Sequence, residues 1–146
     1  MKDLFYLLFV FTMLSCSTQP EPINYGTDAC SYCEMTIVDK SFSAQAVTEK
    51  GKQFKFDAIE CLINHQIQNN TEMATQQVAD FTEPGTMIEV ETALFIKNDT
   101  IKSPMGENLA ALKKEADKVN SKSADVYSWN EIVNLFRGRD SLSLNN

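Results

Sequence analysis

Residues 41–68, SFSAQAVTEKGKQFKFDAIECLINHQIQ, contain two strand patterns followed directly by a helix pattern. Apolar and polar residues alternate over 42–46 and again over 53–56, with the polar turn EKGK between the two runs. Alternation around a glycine-containing turn predicts an antiparallel hairpin. A helical apolar spacing then begins after Asp57, which we expect to cap a helix with Glu60 three residues on. The apolar stripe of this helix consists of Ile59, Leu62, Ile63 and Ile67.

Further short strands surround this stretch. Residues 35–38, 77–81 and 86–96 have strand patterns, whereas residues 69–76 are expected to form a polar loop. Together with the hairpin and helix, these runs predict two blocks of short strands.

The C-terminal third predicts two more helices. The first begins near Ser103 and Pro104, and its apolar face consists of Leu109, Leu112, Ala116 and Val119. The second has a capping box of Ser128 and Glu131, and Gly138 is its expected end. The order of elements predicts an α+β domain, in which small antiparallel sheets pack against helices.

The N-terminus has the pattern of a secretory signal peptide, with one early lysine and an apolar run from Leu4 to Leu14. Ser15 and Cys16 resemble the bacterial lipobox, in which the cysteine is lipidated. The expected organisation is a signal peptide over 1–15, the lipidated cysteine and a flexible tether over 16–27, a folded domain over 28–140 and a tail over 141–146.

Composition and charge exclude some classes of function. The chain has 146 residues and a net charge of −7 without a basic stripe, so we expect one main domain and no nucleic-acid partner. It has a single histidine, no paired-carboxylate context and no phosphate-binding loop, so we expect no enzymatic activity.

Residues 27–37, TDACSYCEMTI, place three sulfur side chains within six residues: Cys30, Cys33 and Met35. With Cys16 lipidated, Cys61 is the one further cysteine, so the domain has an odd number of thiols. An odd number fits poorly with a purely structural disulfide framework in an oxidising compartment.

Three chemistries remain open for the C-x-x-C pair. A redox pair is expected near a helix start, where the helix dipole lowers the pKa of one thiol, but β-type residues follow here. A zinc site needs a second ligand pair, for which Cys61 and His65, four residues apart on one helix face, are the candidates. Cu(I) prefers thiolate and thioether, and Cys33 and Met35 would point to the same side of a strand.

The pattern C-x-x-C-x-M-x-I over residues 30–37 resembles the copper-binding signature of the NosL family, which are lipoprotein accessory factors for nitrous oxide reductase. Other similar segments follow in the same order: Gln45 in SAQAV, GKQFKFDAIECL from Gly51 to Leu62, VADF, ALFI, and SPMGENLAA from Ser103 to Ala111. The resemblance implies tandem ββαβ-type modules in a lipoprotein that is anchored to a bacterial membrane and faces the periplasm. It also implies Cu(I) binding and delivery to nitrous oxide reductase or its maturation transporter complex.

The resemblance also implies the metal ligands. They are Cys33, Met35, Met105 of SPMG, and Cys30 as the first cysteine of the signature. Cys61 and His65 are possible additional ligands; their alternative interpretations are a small buried filler and a surface histidine. Glu34 stands where many relatives carry glycine, so we expect a different local backbone freedom.

Overall fold

The computed structural model describes residues 17–114 and 125–143, with side chains up to Arg139. The predicted signal peptide and the predicted lipidation of Cys16 lie outside these residues. Among the helices of the described part, none combines the length and the apolar character needed to cross a membrane.

The hairpin and helix patterns form the first half of the fold, a four-stranded antiparallel sheet with one helix. Its elements are β1 (Ala44–Thr48), β2 (Gln53–Phe56), α1 (Ile59–Asn69), β3 (Met73–Ala79) and β4 (Met87–Glu89). The strand order is β2-β1-β3-β4, and Ala44 lies opposite Phe56 in the hairpin. The sequence therefore predicted both the hairpin and the helix that follows it.

The second half contains a three-stranded antiparallel sheet and a C-terminal helix. Its elements are β5 (Ala93–Lys97), β6 (Leu109–Lys113), β7 (Asp125–Tyr127) and α2 (Trp129–Ser143). The order β6-β5-β7 repeats the order β2-β1-β3, because in both sheets the first strand lies between the second and the third. The predicted fold class, α+β with small antiparallel sheets and packed helices, is confirmed.

The larger of two hydrophobic clusters forms a core that joins the two sheets and the helices. The sheets meet at a parallel bridge between Asp80 and Ala111. The stripe residues Ile59, Leu62 and Ile63 of α1 are completely buried in this core. Burial of each such side chain stabilises the fold by about 1.5–3 kcal/mol.

Three element predictions are wrong. Residues 73–76 were expected to form a polar loop but begin β3; their polarity is accommodated because Gln76 donates to the side chain of Gln66 at 3.1 Å. Leu109–Lys113 form strand β6 rather than a helix, because the run is apolar on both faces and its leucines merely coincide with helical spacing. Residues 35–38 form no strand, and Thr36 makes a single bridge with Ala29. Ala116 and Val119 lie outside the described residues.

The predicted helix ends are partly wrong. Asp57 makes no capping hydrogen bond, and α1 begins after Ala58. At α2, the backbone N–H of Ser128 donates to Glu131 at 2.7 Å, as the capping box requires. The helix continues through Gly138 to Ser143, so the predicted helix end at Gly138 is wrong.

Residues 18–25, assigned by sequence to a flexible tether, lie on the face of the first sheet opposite α1. The carbonyl of Thr18 accepts from the Thr75 hydroxyl at 2.9 Å. The side chain of Gln53 accepts a hydrogen bond from the N–H of Glu21 at 3.1 Å and donates one to the carbonyl of Gln19 at 3.1 Å. Side chains alternate between the two faces of a strand, so Gln53 lies on the face of the sheet away from Phe54 and Phe56, which pack against His65 of α1. The segment is therefore docked on the domain.

Candidate metal centre

Three cysteine side chains converge where the loop before β1 meets the start of α1. The sulfur atoms of Cys30, Cys33 and Cys61 all lie within 4.8 Å of one another, and none of the three cysteines is in a disulfide. Cys30 and Cys61 are buried, with 2% and 0% of their surface exposed, whereas Cys33 is half-buried. Thiolates that share one ion through bonds of about 2.3 Å lie about 4 Å apart, so small movements would bring all three onto one ion.

The loop that carries Cys30 and Cys33 is closed by its own backbone. The N–H of Cys30 donates to the carbonyl of Met35 at 2.8 Å, and the N–H of Glu34 donates to the carbonyl of Cys30 at 3.1 Å. The loop is also fastened to β2, because Ser31 N–H donates to the Lys55 carbonyl at 2.7 Å. These bonds close a tight loop in which the sulfur atoms of Cys30 and Cys33 lie within 4.8 Å of each other.

Glu34 adopts a left-handed backbone conformation in this loop, with φ of 64°. A side chain at such a φ is strained, and glycine is the residue that adopts it freely. Glycine would therefore be favoured at position 34, and this chain forms the turn with a strained residue instead.

Cys61 enters the cluster because α1 begins directly after β2, which places the first helical turn beside the loop. A hydrogen bond from the Cys61 thiol lowers the pKa of Cys30 to about 5, and the backbone N–H groups of Cys33, Asp57 and Tyr32 add to this effect. The same hydrogen bond, followed by burial, raises the pKa of Cys61. Burial is the main cause of the raised pKa of Cys33. The cluster thus holds one thiolate, stabilised by donors, and two thiols.

His65 is a buried aromatic neighbour of the cluster and is not part of it. Its ring packs against both Phe54 and Phe56, with ring centroids 4.6 and 5.3 Å away. Burial, and secondly the charge of Lys52, lower the pKa of His65, so the imidazole is neutral. Its Nδ1 is buried without a hydrogen-bond partner among the described residues. The structure does not bring His65 together with Cys61 and the C-x-x-C pair as a four-ligand zinc site requires.

The two candidate methionines are surface residues rather than core residues. Met35 is 57% exposed at the end of the cysteine loop, and Met105 is 39% exposed. Met105 lies in a turn that the Gly106 N–H closes by donating to the carbonyl of Ser103 at 3.0 Å. The hydroxyl of Ser103 donates to Glu60, the residue before Cys61 in α1. The turn is therefore attached to the same helical turn that carries the third thiol.

Sequence reasoning gave Cys61 a secondary place and did not single out Glu60 as a functional residue. The signal for Cys61 was its i, i+4 spacing to His65, but the contact that matters joins it to Cys30 across the fold. The fully buried Glu60 left no signal, because a glutamate in the first turn of a helix is ordinary.

An α+β domain that keeps three unbonded thiols within 4.8 Å has the donor set of a protein that binds soft metal ions. Comparison with known proteins narrows this class. The model of the NosL family matches residues 23–133, and the chain belongs to the NosL family. No match was found among curated proteins.

A solved structure has the same fold. The crystal structure of the copper chaperone NosL from Shewanella denitrificans matches with a TM-score of 0.66 and 18% sequence identity. The match covers 79% of this chain and 96% of that one. At this identity the likeness establishes the shared fold.

Proposed function

We propose that this protein is a membrane-anchored, non-enzymatic metallochaperone that binds Cu(I) and delivers it for assembly of the copper centres of nitrous oxide reductase. The observation that carries the proposal is the cluster of three cysteines that form no disulfide. Membership of the NosL family and the fold shared with a copper chaperone support it. Polarisable sulfur donors hold a soft monovalent ion better than they hold hard cations.

The proposed ligands are the sulfur atoms of Cys30, Cys33, Met35 and Met105, with Cys61 as an additional thiolate. Cys30 and Cys61 lie on the buried side of the cluster, whereas Cys33 and Met35 lie towards solvent. A partner's ligand would therefore approach the ion from the Cys33 and Met35 side. Release proceeds by ligand exchange, in which each incoming donor replaces one of the exposed sulfurs.

The proposed setting is the periplasmic side of a bacterial membrane, with the lipid on Cys16 as anchor. The proposed partner is nitrous oxide reductase or its maturation transporter complex. Mass spectrometry of the membrane-extracted protein tests the anchor, since a diacylglycerol on an N-terminal Cys16 gives a defined added mass. Co-purification with that transporter complex tests the partner, and Cys16→Ser should release the protein from the membrane.

An oxygen-free titration of the reduced full-length protein with Cu(I), against a competing chelator, tests the metal assignment. We expect tight binding of one ion per chain, and the double variant Cys33→Ser, Met35→Ala should lose it. The matched control is Val38→Ala, which trims a side chain that is 64% exposed near the same loop without removing a donor. Tight one-to-one binding that survives the double variant would refute the assignment.

The two alternative functions have their own tests. The C-x-x-C pair lies in a turn rather than at a helix start, which removes the dipole that redox pairs use. A reduction potential and an insulin-reduction assay distinguish a thiol–disulfide oxidoreductase, which would turn over, from a chaperone, which would not. A zinc-stapled module would retain one zinc per chain after purification with Met35 and Met105 both dispensable.

A further inference from the structure

Glu60 is a carboxyl group in the core that no cation neutralises among the described contacts. Its side chain is fully buried in the first turn of α1, and Oε1 accepts a hydrogen bond from the hydroxyl of Ser103. Oε2 has no hydrogen-bond partner among the described residues. Glutamate is almost never fully buried unless it is paired. Because burying this carboxyl group costs free energy, its hydrogen bond with Ser103 calls for a functional explanation.

The partner of Glu60 organises the turn that carries Met105. The hydroxyl of Ser103 accepts the N–H of Asn108 at 3.0 Å, and its carbonyl accepts the N–H of Gly106 at 3.0 Å. One serine thus closes the turn through its side chain and through its backbone. Met105, at the tip, keeps an exposed thioether.

The far side of this turn is fastened as well. The carboxylate of Glu107 pairs with Lys97 of β5 at 3.0 Å and with Arg139 of α2 at 2.7 Å. These pairs are partly exposed and tie the turn to the second half of the fold. The Ser103–Glu60 bond ties the turn to α1 across 43 residues of sequence, and the backbone N–H of Glu107 in the same turn also interacts with the Glu60 carboxyl group.

The position of Glu60 relates the turn to the thiol cluster. Glu60 and Cys61 are consecutive in α1, and the sulfur of Cys61 lies within 4.8 Å of those of Cys30 and Cys33. A shift of the first helical turn therefore moves the third thiol and the support of the Met105 turn together. A buried bond at this point fixes the spacing between the two sets of sulfur donors.

We infer that Glu60 and Ser103 form a positioning pair that holds the Met105 thioether in place for the ion bound by the cysteine cluster. The inference deepens the proposed function and rests on Met105 being a ligand. A ligand on a free loop loses its mobility only when the ion binds, which weakens affinity by up to about tenfold. The pair removes this loss by ordering the turn in advance.

A double-mutant cycle on Cu(I) affinity tests the inference, with the reduced full-length protein in competition with a chelator and without oxygen. Ser103→Ala should weaken binding by about tenfold, as loss of a buried hydrogen bond and of loop order predicts. In the Met105→Ala background the same substitution should change affinity less than about twofold, since no thioether remains to be positioned. Equal losses in both backgrounds would show a general structural role and overturn the inference.

Two further variants separate positioning from folding. Glu60→Gln keeps a carbonyl acceptor for the Ser103 hydroxyl and should bind within about twofold of the unmodified protein. Thr100→Ala removes a hydroxyl that bonds Asn98 at 2.7 Å in the preceding turn, and it should leave the affinity unchanged. A loss in Thr100→Ala as large as that in Ser103→Ala would mean that any disturbance of this region acts in the same way, which also contradicts the inference.

A metal-free measurement keeps the inference distinct from the proposed function. In protein labelled with 13C on the methionine methyl groups, the Met105 resonance should sharpen in Ser103→Ala, because the turn gains motion, while the Met35 resonance should not. Failure of the unmodified protein to bind Cu(I) would overturn the proposed function and the inference with it. If Cu(I) binding is tight and depends on Cys33, but Ser103→Ala or Met105→Ala leaves the affinity unchanged, the inference is overturned and the proposed function stands.

Discussion

Cys30 and Cys61 face each other across the junction of the cysteine loop and α1, with their sulfur atoms within 4.8 Å and no disulfide between them. The thiol of Cys61 stabilises the thiolate of Cys30, which lowers the pKa of Cys30 to about 5 and raises that of Cys61. The metal-free cluster is therefore charged once near neutral pH. Protons on Cys33 and Cys61 compete with any ion that needs all three thiolates.

Proton release on Cu(I) binding follows from this arrangement. Cys30 is already ionised at neutral pH, whereas the raised pKa values of Cys33 and Cys61 keep both protonated. An ion bound by all three sulfurs should release two protons, and affinity should rise about 100-fold for each pH unit between about pH 6 and pH 8. A pH indicator in weak buffer measures the release. Cys61→Ser keeps a hydroxyl that can donate to the Cys30 thiolate, so this variant should release one proton. Release of one proton by the unmodified protein would show that Cys61 stays a thiol.

Glu34→Gly should stabilise the metal-free protein. The left-handed conformation of Glu34, with φ of 64°, costs a residue with a side chain about 1 kcal/mol, part of which is offset because glycine gains freedom in the unfolded chain. The expected gain in the free energy of unfolding is about 0.5 kcal/mol, measured by urea denaturation. Glu34→Ala removes the same charge and keeps the strain, so it should give no gain. A gain of equal size in both variants would assign the effect to charge.

The sequence was sufficient for the fold wherever periodicity and turn chemistry agreed. The hairpin of β1 and β2 and helix α1 follow directly from alternation, a glycine turn and an apolar stripe. The prediction failed at β6, where burial on both faces removes alternation and leaves a short apolar run that fits either period. It failed at the start of β3 because Gln76 is buried with a polar partner, so its polarity says nothing about exposure.

The candidate site was predictable where its residues are adjacent in sequence. The spacing of Cys30, Cys33 and Met35 predicts a sulfur site, and the structure brings Cys30 and Cys33 together with Cys61. The place of Cys61 in the cluster depends on a contact between a loop and a helix, and the inferred role of Ser103 depends on a bond to Glu60 across the fold. No single-sequence pattern records such long-range contacts, so they required the three-dimensional structure.

Because residues 18–25 are docked on the sheet, we expect slow amide exchange in this N-terminal segment. The N–H of Glu21 donates to Gln53 Oε1 at 3.1 Å, so hydrogen exchange at Glu21 should be slower than in a free tether. Gln53→Ala removes this acceptor and the donor to Gln19, and it should lower the free energy of unfolding by about 1 kcal/mol. Gln53→Glu keeps the acceptor and should preserve the protection of Glu21. Free exchange at Glu21 in the unmodified protein would contradict the docking.

Stability of the metal-free protein against acid depends on His65. Burial and the charge of Lys52 lower its folded pKa below the unfolded value of about 6.5, so protons bind the unfolded chain better. The contribution of His65 is complete above about pH 6.5 and decreases as the pH falls from there to the lowered folded pKa. His65→Phe, which keeps an aromatic ring against Phe54 and Phe56, removes this titration. Urea unfolding at a series of pH values measures the free energy of unfolding. Between about pH 7 and pH 5 this free energy should fall less in His65→Phe than in the unmodified protein, because the new side chain adds only an offset that does not depend on pH. Parallel curves for the two proteins would mean that the imidazole has the same pKa folded and unfolded.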